Sequence, residues 1–126
     1  MTLEGDHYML TFYVPTAYKE IVKNAAFAAG GGTVRRPEAD SEPGQRQTGQ
    51  YDRCCFEVVG TGQFRALEGA DPFIGQEGVV ETVEEVRVEM MCPGDRIRVV
   101  VAAMRSAHPY ETPAFCVTRH IDTDAW

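Results

Sequence analysis

Apolar and polar residues alternate through positions 8–14, where Leu10, Phe12 and Val14 share one face, and this period of two in an aromatic and β-branched stretch predicts a strand that Pro15 ends. The period then lengthens. Over residues 16–29, Tyr18, Ile21, Val22, Ala25 and Ala29 recur at helical spacing, which predicts an amphipathic helix stopped by Gly30, Gly31 and Gly32. From 30 to 50 the periodicity disappears and Gly, Pro, Glu, Arg, Gln and Ser dominate. Too little apolar surface is available there to offset the entropy of ordering, so a mobile surface loop is expected.

Alternation resumes at 53–65, with Cys54, Phe56 and Val58 on one face; residues 54–60 are the predicted strand, and Gly60 and Gly62 are expected to bend it. Gly69, Pro72, Gly75 and Gly78 punctuate the next stretch, after which Val86, Val88 and Met90 alternate with Glu85, Arg87 and Glu89 across 79–92. The two runs form a long hairpin. Its Glu and Arg side is expected to be solvated and its apolar side packed, as in an antiparallel sheet that helices cover on one face. Pro93 and Gly94 turn the chain, and Asp95 is the expected cap of a second helix with Ile97, Val100, Val101, Met104 and Ala107 along its apolar face. Pro109 stops that helix near His108, and residues 114–119 read as a last strand. The order β-α-β-β-α-β predicts a ferredoxin-like α+β sandwich, an antiparallel sheet with two helices on one face, as a single domain over 1–126.

Composition narrows the function. With 44% hydrophobic and 25% charged residues the chain has an ordinary globular balance, and its longest apolar run, 99–104, is too short to cross a bilayer. Glu4, Asp6 and His7 precede the first apolar run without the basic segment of a secretory signal, so a cytoplasmic protein is expected. A net charge of −7 argues against nucleic-acid binding, which needs a dense Lys/Arg surface, and Arg35, Arg36, Arg46 and Arg53 read as a solvated loop. Cys54, Cys55, Cys92 and Cys116 lack C-x-x-C spacing, so neither a zinc knuckle nor a disulfide framework follows, and buried thiols acting as small hydrophobes are expected.

Two segments carry more chemistry than a core needs. In the string Gly60-Thr-Gly-Gln-Phe-Arg-Ala-Leu-Glu-Gly-Ala-Asp-Pro-Phe-Ile-Gly75, glycines let backbone N–H groups approach an anion, with Thr61, Gln63 and Arg65 as further donors. The lysine of a phosphate-binding P-loop is missing, and the same glycines also serve turns and close subunit packing. In His108-Pro-Tyr-Glu-Thr-Pro113 a histidine faces the negative end of a helix while two prolines direct the exit of the chain. His108, Tyr110 and Glu111 offer a base, a phenol and a carboxylate that can orient a polar ligand, and His108 with Glu111 contributes to a divalent-metal site only if a neighbouring subunit adds ligands. No hydrolase elbow or other catalytic constellation is present, so the residues point away from an enzyme.

Phe12-Tyr-Val-Pro15, the 60–75 string, Val83-Glu-Glu-Val-Arg-Val-Glu89 and Ala107-His-Pro-Tyr-Glu-Thr-Pro113 together resemble the PII/CutA-like domain of the Nif-three family, some of whose members are described as GTP cyclohydrolase type 2 homologues. The resemblance implies a ferredoxin-like fold assembling as a homotrimer, with clefts at subunit boundaries that take a small-molecule effector, often a nucleotide, or a protein partner. It places Thr61, Gln63, Arg65 and Glu68 on one wall of such a cleft and His108, Tyr110 and Glu111 on the adjoining wall. Two further readings accompany it: a CutA-type divalent-cation-binding protein using His108 and Glu111, and a small enzyme of the GTP cyclohydrolase type 2 kind. In full-length Nif-three proteins this domain is inserted between halves that hold a two-metal site, and this chain has nothing that resembles them, so metal-dependent hydrolysis is not expected of a stand-alone domain.

Overall fold

A computed structural model of the chain describes residues 7–35 and 49–121. Strand β1 (His7–Pro15) has Leu10, Phe12 and Val14 fully buried, as a one-sided period of two requires. Pro15, at φ −56° and ψ 142°, halts it, and a single 3₁₀ turn (Thr16–Tyr18) leads into α1 (Lys19–Ala28). The helix buries Val22 and Ala26 and leaves Ile21 58% exposed, so its packed stripe is rotated from the predicted one. At its end the Gly30 N–H donates to the Phe27 carbonyl and the Gly31 N–H to the Ala26 carbonyl. This paired closure needs the left-handed φ of +109° at Gly30.

The expected loop at 30–50 lies largely outside the described residues. Its two ends do pair, as the short antiparallel ribbon of β2 (Val34–Arg35) and β3 (Gly49–Tyr51), which the aperiodic sequence concealed. Arg53 then adopts φ +55°, and the Cys54 N–H donates to the Gly32 carbonyl, so the next strand starts two residues later than expected. That strand, β4 (Phe56–Arg65), runs unbroken through Gly60 and Gly62, where a bend was expected, because ten successive residues stay in register with β5 (Val80–Pro93). Helix α2 (Ile97–Ala107) buries Ile97, Val100 and Met104, and β6 (Phe115–His120) follows. Its N-cap position is Arg96, with no side-chain cap hydrogen bond, rather than the expected Asp95.

The four-stranded sheet has the order β4-β5-β1-β6 with every neighbour antiparallel, which is the ferredoxin-like arrangement with the β2–β3 ribbon inserted after the first helix. Both helices pack on one face, against Leu10, Phe12, Val14, Val86, Val88 and Met90. Paired residues in such a ladder point to the same side. Register therefore places Tyr13, Phe56, Val58, Gly62, Phe64, Glu85 and Arg87 on the opposite face, which no helix among the described residues covers. Of the four cysteines Cys92 alone is buried, where loss of solvent pushes its thiol up to about 11. Cys55 and Cys116 are exposed and Cys54 is half-buried, which corrects the expectation of buried thiols.

Candidate functional site

The β4–β5 hairpin ends in a loop that folds back on itself. Ala66 bridges Glu77, the Gly78 N–H donates to the Ala66 carbonyl at 2.8 Å, and Gly75 adopts φ +89° where a Cβ would strike the Glu81 side chain. Phe73 is thereby carried to the end of β1. Its ring meets Tyr18 edge-on, with centroids 5.3 Å apart, and stands 6.4 Å from Tyr110. The Asp71 N–H donates to Glu111 Oε2 at 3.2 Å, joining the hairpin loop to the segment after α2.

His108 organises that segment. Strand β6 pairs with β1 only as far as Phe12, so the Tyr13 carbonyl lies past the last β6 partner. His108 Nε2 takes it, at 2.6 Å, and the ring's Nδ1 accepts the Tyr110 N–H at 3.1 Å. These partners require the neutral ring with its proton on Nε2. Burial holds the pKa below the ordinary 6.5, although the Tyr13 carbonyl and the Glu85 charge act in the other direction. With both nitrogens committed to backbone groups the ring has no lone pair for a metal ion, and the predicted His108–Glu111 pair does not fit one. Among the described residues no cluster of three or more His, Cys, Asp or Glu side chains is gathered as a metal site would need.

Between the uncovered face of the sheet, the hairpin loop and the segment after His108 lies a pocket of about 450 Å³. That falls within the range of roughly 300–1,000 Å³ typical of small-ligand sites. Tyr13, Phe64, Phe73 and Tyr110 supply its aromatic walls, and Glu85 and Glu111 its charge. The Glu85 side chain lies across β4 above Gly62, in space that a Cβ at that position would occupy. The Tyr110 hydroxyl is buried beside Glu85, and burial first, then its interaction with the Glu85 carboxylate, pushes its ionisation upward.

Of the residues singled out from sequence, Gln63, Tyr110 and Glu111 line this pocket and His108 braces it from behind. Thr61, Arg65 and Glu68 do not line it. Thr61 and Arg65 share the side of β4 that carries Glu57, whose carboxylate meets Lys19 and Lys23 of α1 at 2.8 and 3.1 Å. Glu85, Tyr13, Phe64 and Phe73 were missed. Glu85 had been expected on a solvated strand face, and its contact with the pocket depends on a gap opposite that only the β4–β5 register reveals.

The fold is a ferredoxin-like sandwich of the PII/CutA kind. It superposes on a Bacillus cereus protein related to NIF3 with a TM-score of 0.71 and 32% identity, over 96% of this chain and 27% of that one. CutA from Xylella fastidiosa gives 0.57 at 12% identity, over 95% of this chain and 86% of that one. A Bacillus subtilis GlnK–ATP complex gives 0.52 at 10% identity, over 94% and 84%. At such identities the last two establish the fold alone. No protein-family model matches the sequence. The GTP cyclohydrolase 1 type 2 homolog of Mycobacterium tuberculosis is 46% identical over 103 residues, 82% of this chain and 24% of that protein. The Bacillus subtilis protein of the same name is 39% identical over 106 residues, 84% and 25%. The chain belongs to the NIF3 family as its PII/CutA-like domain, and it spans about a quarter of the length of these relatives.

Proposed function

We propose that this domain is a binding or regulatory module that works as a homotrimer, with a small ligand or a protein partner held where neighbouring copies meet. The observation that carries this reading is the uncovered face of the sheet. Phe56 and Val58 stand 61% and 40% exposed there, on the strand that also lines the pocket, and among the described residues β4 pairs with β5 alone. Exposed apolar side chains next to an open strand edge favour association with another copy, because it removes hydrocarbon from water and satisfies edge N–H and C=O groups together. In such an assembly Tyr110 and Glu111 face the pocket and Gln63 borders it, while Thr61, Arg65 and Glu68 lie on the strand and loop nearest a neighbour.

The CutA and GlnK neighbours share this layout, which supports the fold on which the proposal rests. No helix among the described residues is long and apolar enough to cross a membrane, and a cytoplasmic role belongs to the same proposal. Light scattering of the purified protein tests the assembly. Three times the 14.0 kDa chain mass is expected, and a monomer at all concentrations would remove the shared-cleft reading.

A further inference from the structure

We propose that the pocket beneath the hairpin loop takes a small organic cation, an aromatic or apolar body bearing an ammonium group, with the cation seated at Glu85. This deepens the reading of the domain as a binding module and rests on it. Four rings, Tyr13, Phe64, Phe73 and Tyr110, wall the pocket, and faces of this kind attract both apolar bodies and cations. Its charged lining groups among the described residues are Glu85 and Glu111, and no described lysine or arginine lines it. That pattern is the reverse of a phosphate or nucleotide site, where cations and N–H groups converge.

The two carboxylates differ in what they are free to do. Glu111 already accepts the Asp71 N–H, which ties down the loop. Glu85 is half-buried, forms no ion pair with a described lysine or arginine, and reaches the pocket because Gly62 leaves room for it. Beside it lies the buried Tyr110 hydroxyl, close enough for the phenol and the carboxylate to interact. A half-buried carboxylate without a counter-charge among the described residues, next to a buried phenol hydroxyl and among aromatic faces, is complementary to an ammonium group. Such a group donates to the carboxylate and the phenol oxygen at once. His108 keeps the arrangement in place by holding the Tyr110 backbone, so the receptor is formed before any ligand arrives.

The test compares three probes of one shape on the full chain at neutral pH: 2-phenylethylamine, 2-phenylethanol and phenylacetate, with ATP as a fourth. Titration calorimetry or ligand-observed NMR is expected to show the amine bound at one per chain, the alcohol about tenfold weaker, and neither phenylacetate nor ATP competing. Glu85→Gln is expected to bring the amine down to the affinity of the alcohol. Equal binding of amine and alcohol, tighter binding of phenylacetate or ATP, or an amine affinity unchanged by Glu85→Gln would each overturn the proposal. The wild-type comparison stands even if the variant folds poorly. Solution mass recorded on the same sample separates this inference from the assembly reading. A trimer without amine preference defeats this inference alone, and an amine-selective monomer defeats the trimer alone.

Discussion

The two faces of the sheet are written on the same strands, yet they are built for different purposes. Along β5, Val86, Val88 and Met90 are at most 1% exposed beneath the helices, while Glu85, Arg87 and Glu89 alternate with them on the other side. The covered face holds the core within one chain, with Val59, Val80 and Val117 left exposed at its margins, and its outer strand is tied to α1 by Glu57 with Lys19 and Lys23. The uncovered face holds groups that one copy leaves unfinished: Phe56 and Val58 in water, and Glu85, beside the buried Tyr110 hydroxyl, without a counter-charge among the described residues. Stability is concentrated on one face and recognition on the other.

Substitutions of graded effect sharpen that contrast. Phe12→Ala opens a cavity in the centre of the covered face and is expected to cost about 3–5 kcal/mol by urea denaturation. His108→Ala leaves the Tyr13 carbonyl and the Tyr110 N–H unpaired and is expected to cost about 1–3 kcal/mol. This second effect depends on pH. Because burial holds the folded pKa of His108 below the ordinary 6.5, the neutral ring contributes fully above 6.5, and its contribution is lost as pH falls through the folded value. Urea midpoints at several pH values between 7.5 and 5 are expected to fall for the wild type, with a shallower slope for His108→Ala; parallel slopes would place the titration elsewhere.

Gly62→Ala belongs to the uncovered face. Its methyl displaces the mobile end of Glu85 rather than backbone, so stability is expected to stay within about 1 kcal/mol of wild type while preference for a cationic probe is lost. A large loss of stability would mean that Glu85 supports the fold itself. The smallest effect is expected from Glu57→Gln. Hydrogen bonds from Lys19, then Lys23, hold the Glu57 pKa below its usual range, but the carboxylate is a third exposed. The change should therefore cost about 0.5–1 kcal/mol and shrink in high salt.

What the sequence revealed follows the same division. Strands β1 and β5 and helix α2 were legible because burial on one side imposes a period of two or 3.6 on neighbouring residues. The packed stripe of α1 was misplaced, since an alanine at position 26 fits the core where Ile21 was expected. The β2–β3 ribbon left no pattern, because two or three residues are too few to show one. The pocket was legible only in part. Tyr110 and Glu111 stood out as chemistry packed into a short motif, but Tyr13, Phe64, Phe73 and Glu85 come together through hairpin register and loop docking, which no local period encodes. Polar donors on β4 were weighted instead, and the alternation of that strand turns Thr61 and Arg65 to its helix side.

The most direct test of the division between faces is the solution mass of Val58→Asp beside that of the wild type, read by light scattering over a range of concentrations. Val58 is exposed on the uncovered face, so the variant is expected to keep its fold by circular dichroism and to run at 14.0 kDa while the wild type runs at three times that mass. Identical masses for the two proteins, or loss of fold in the variant, would contradict the assignment of stability to one face and association to the other.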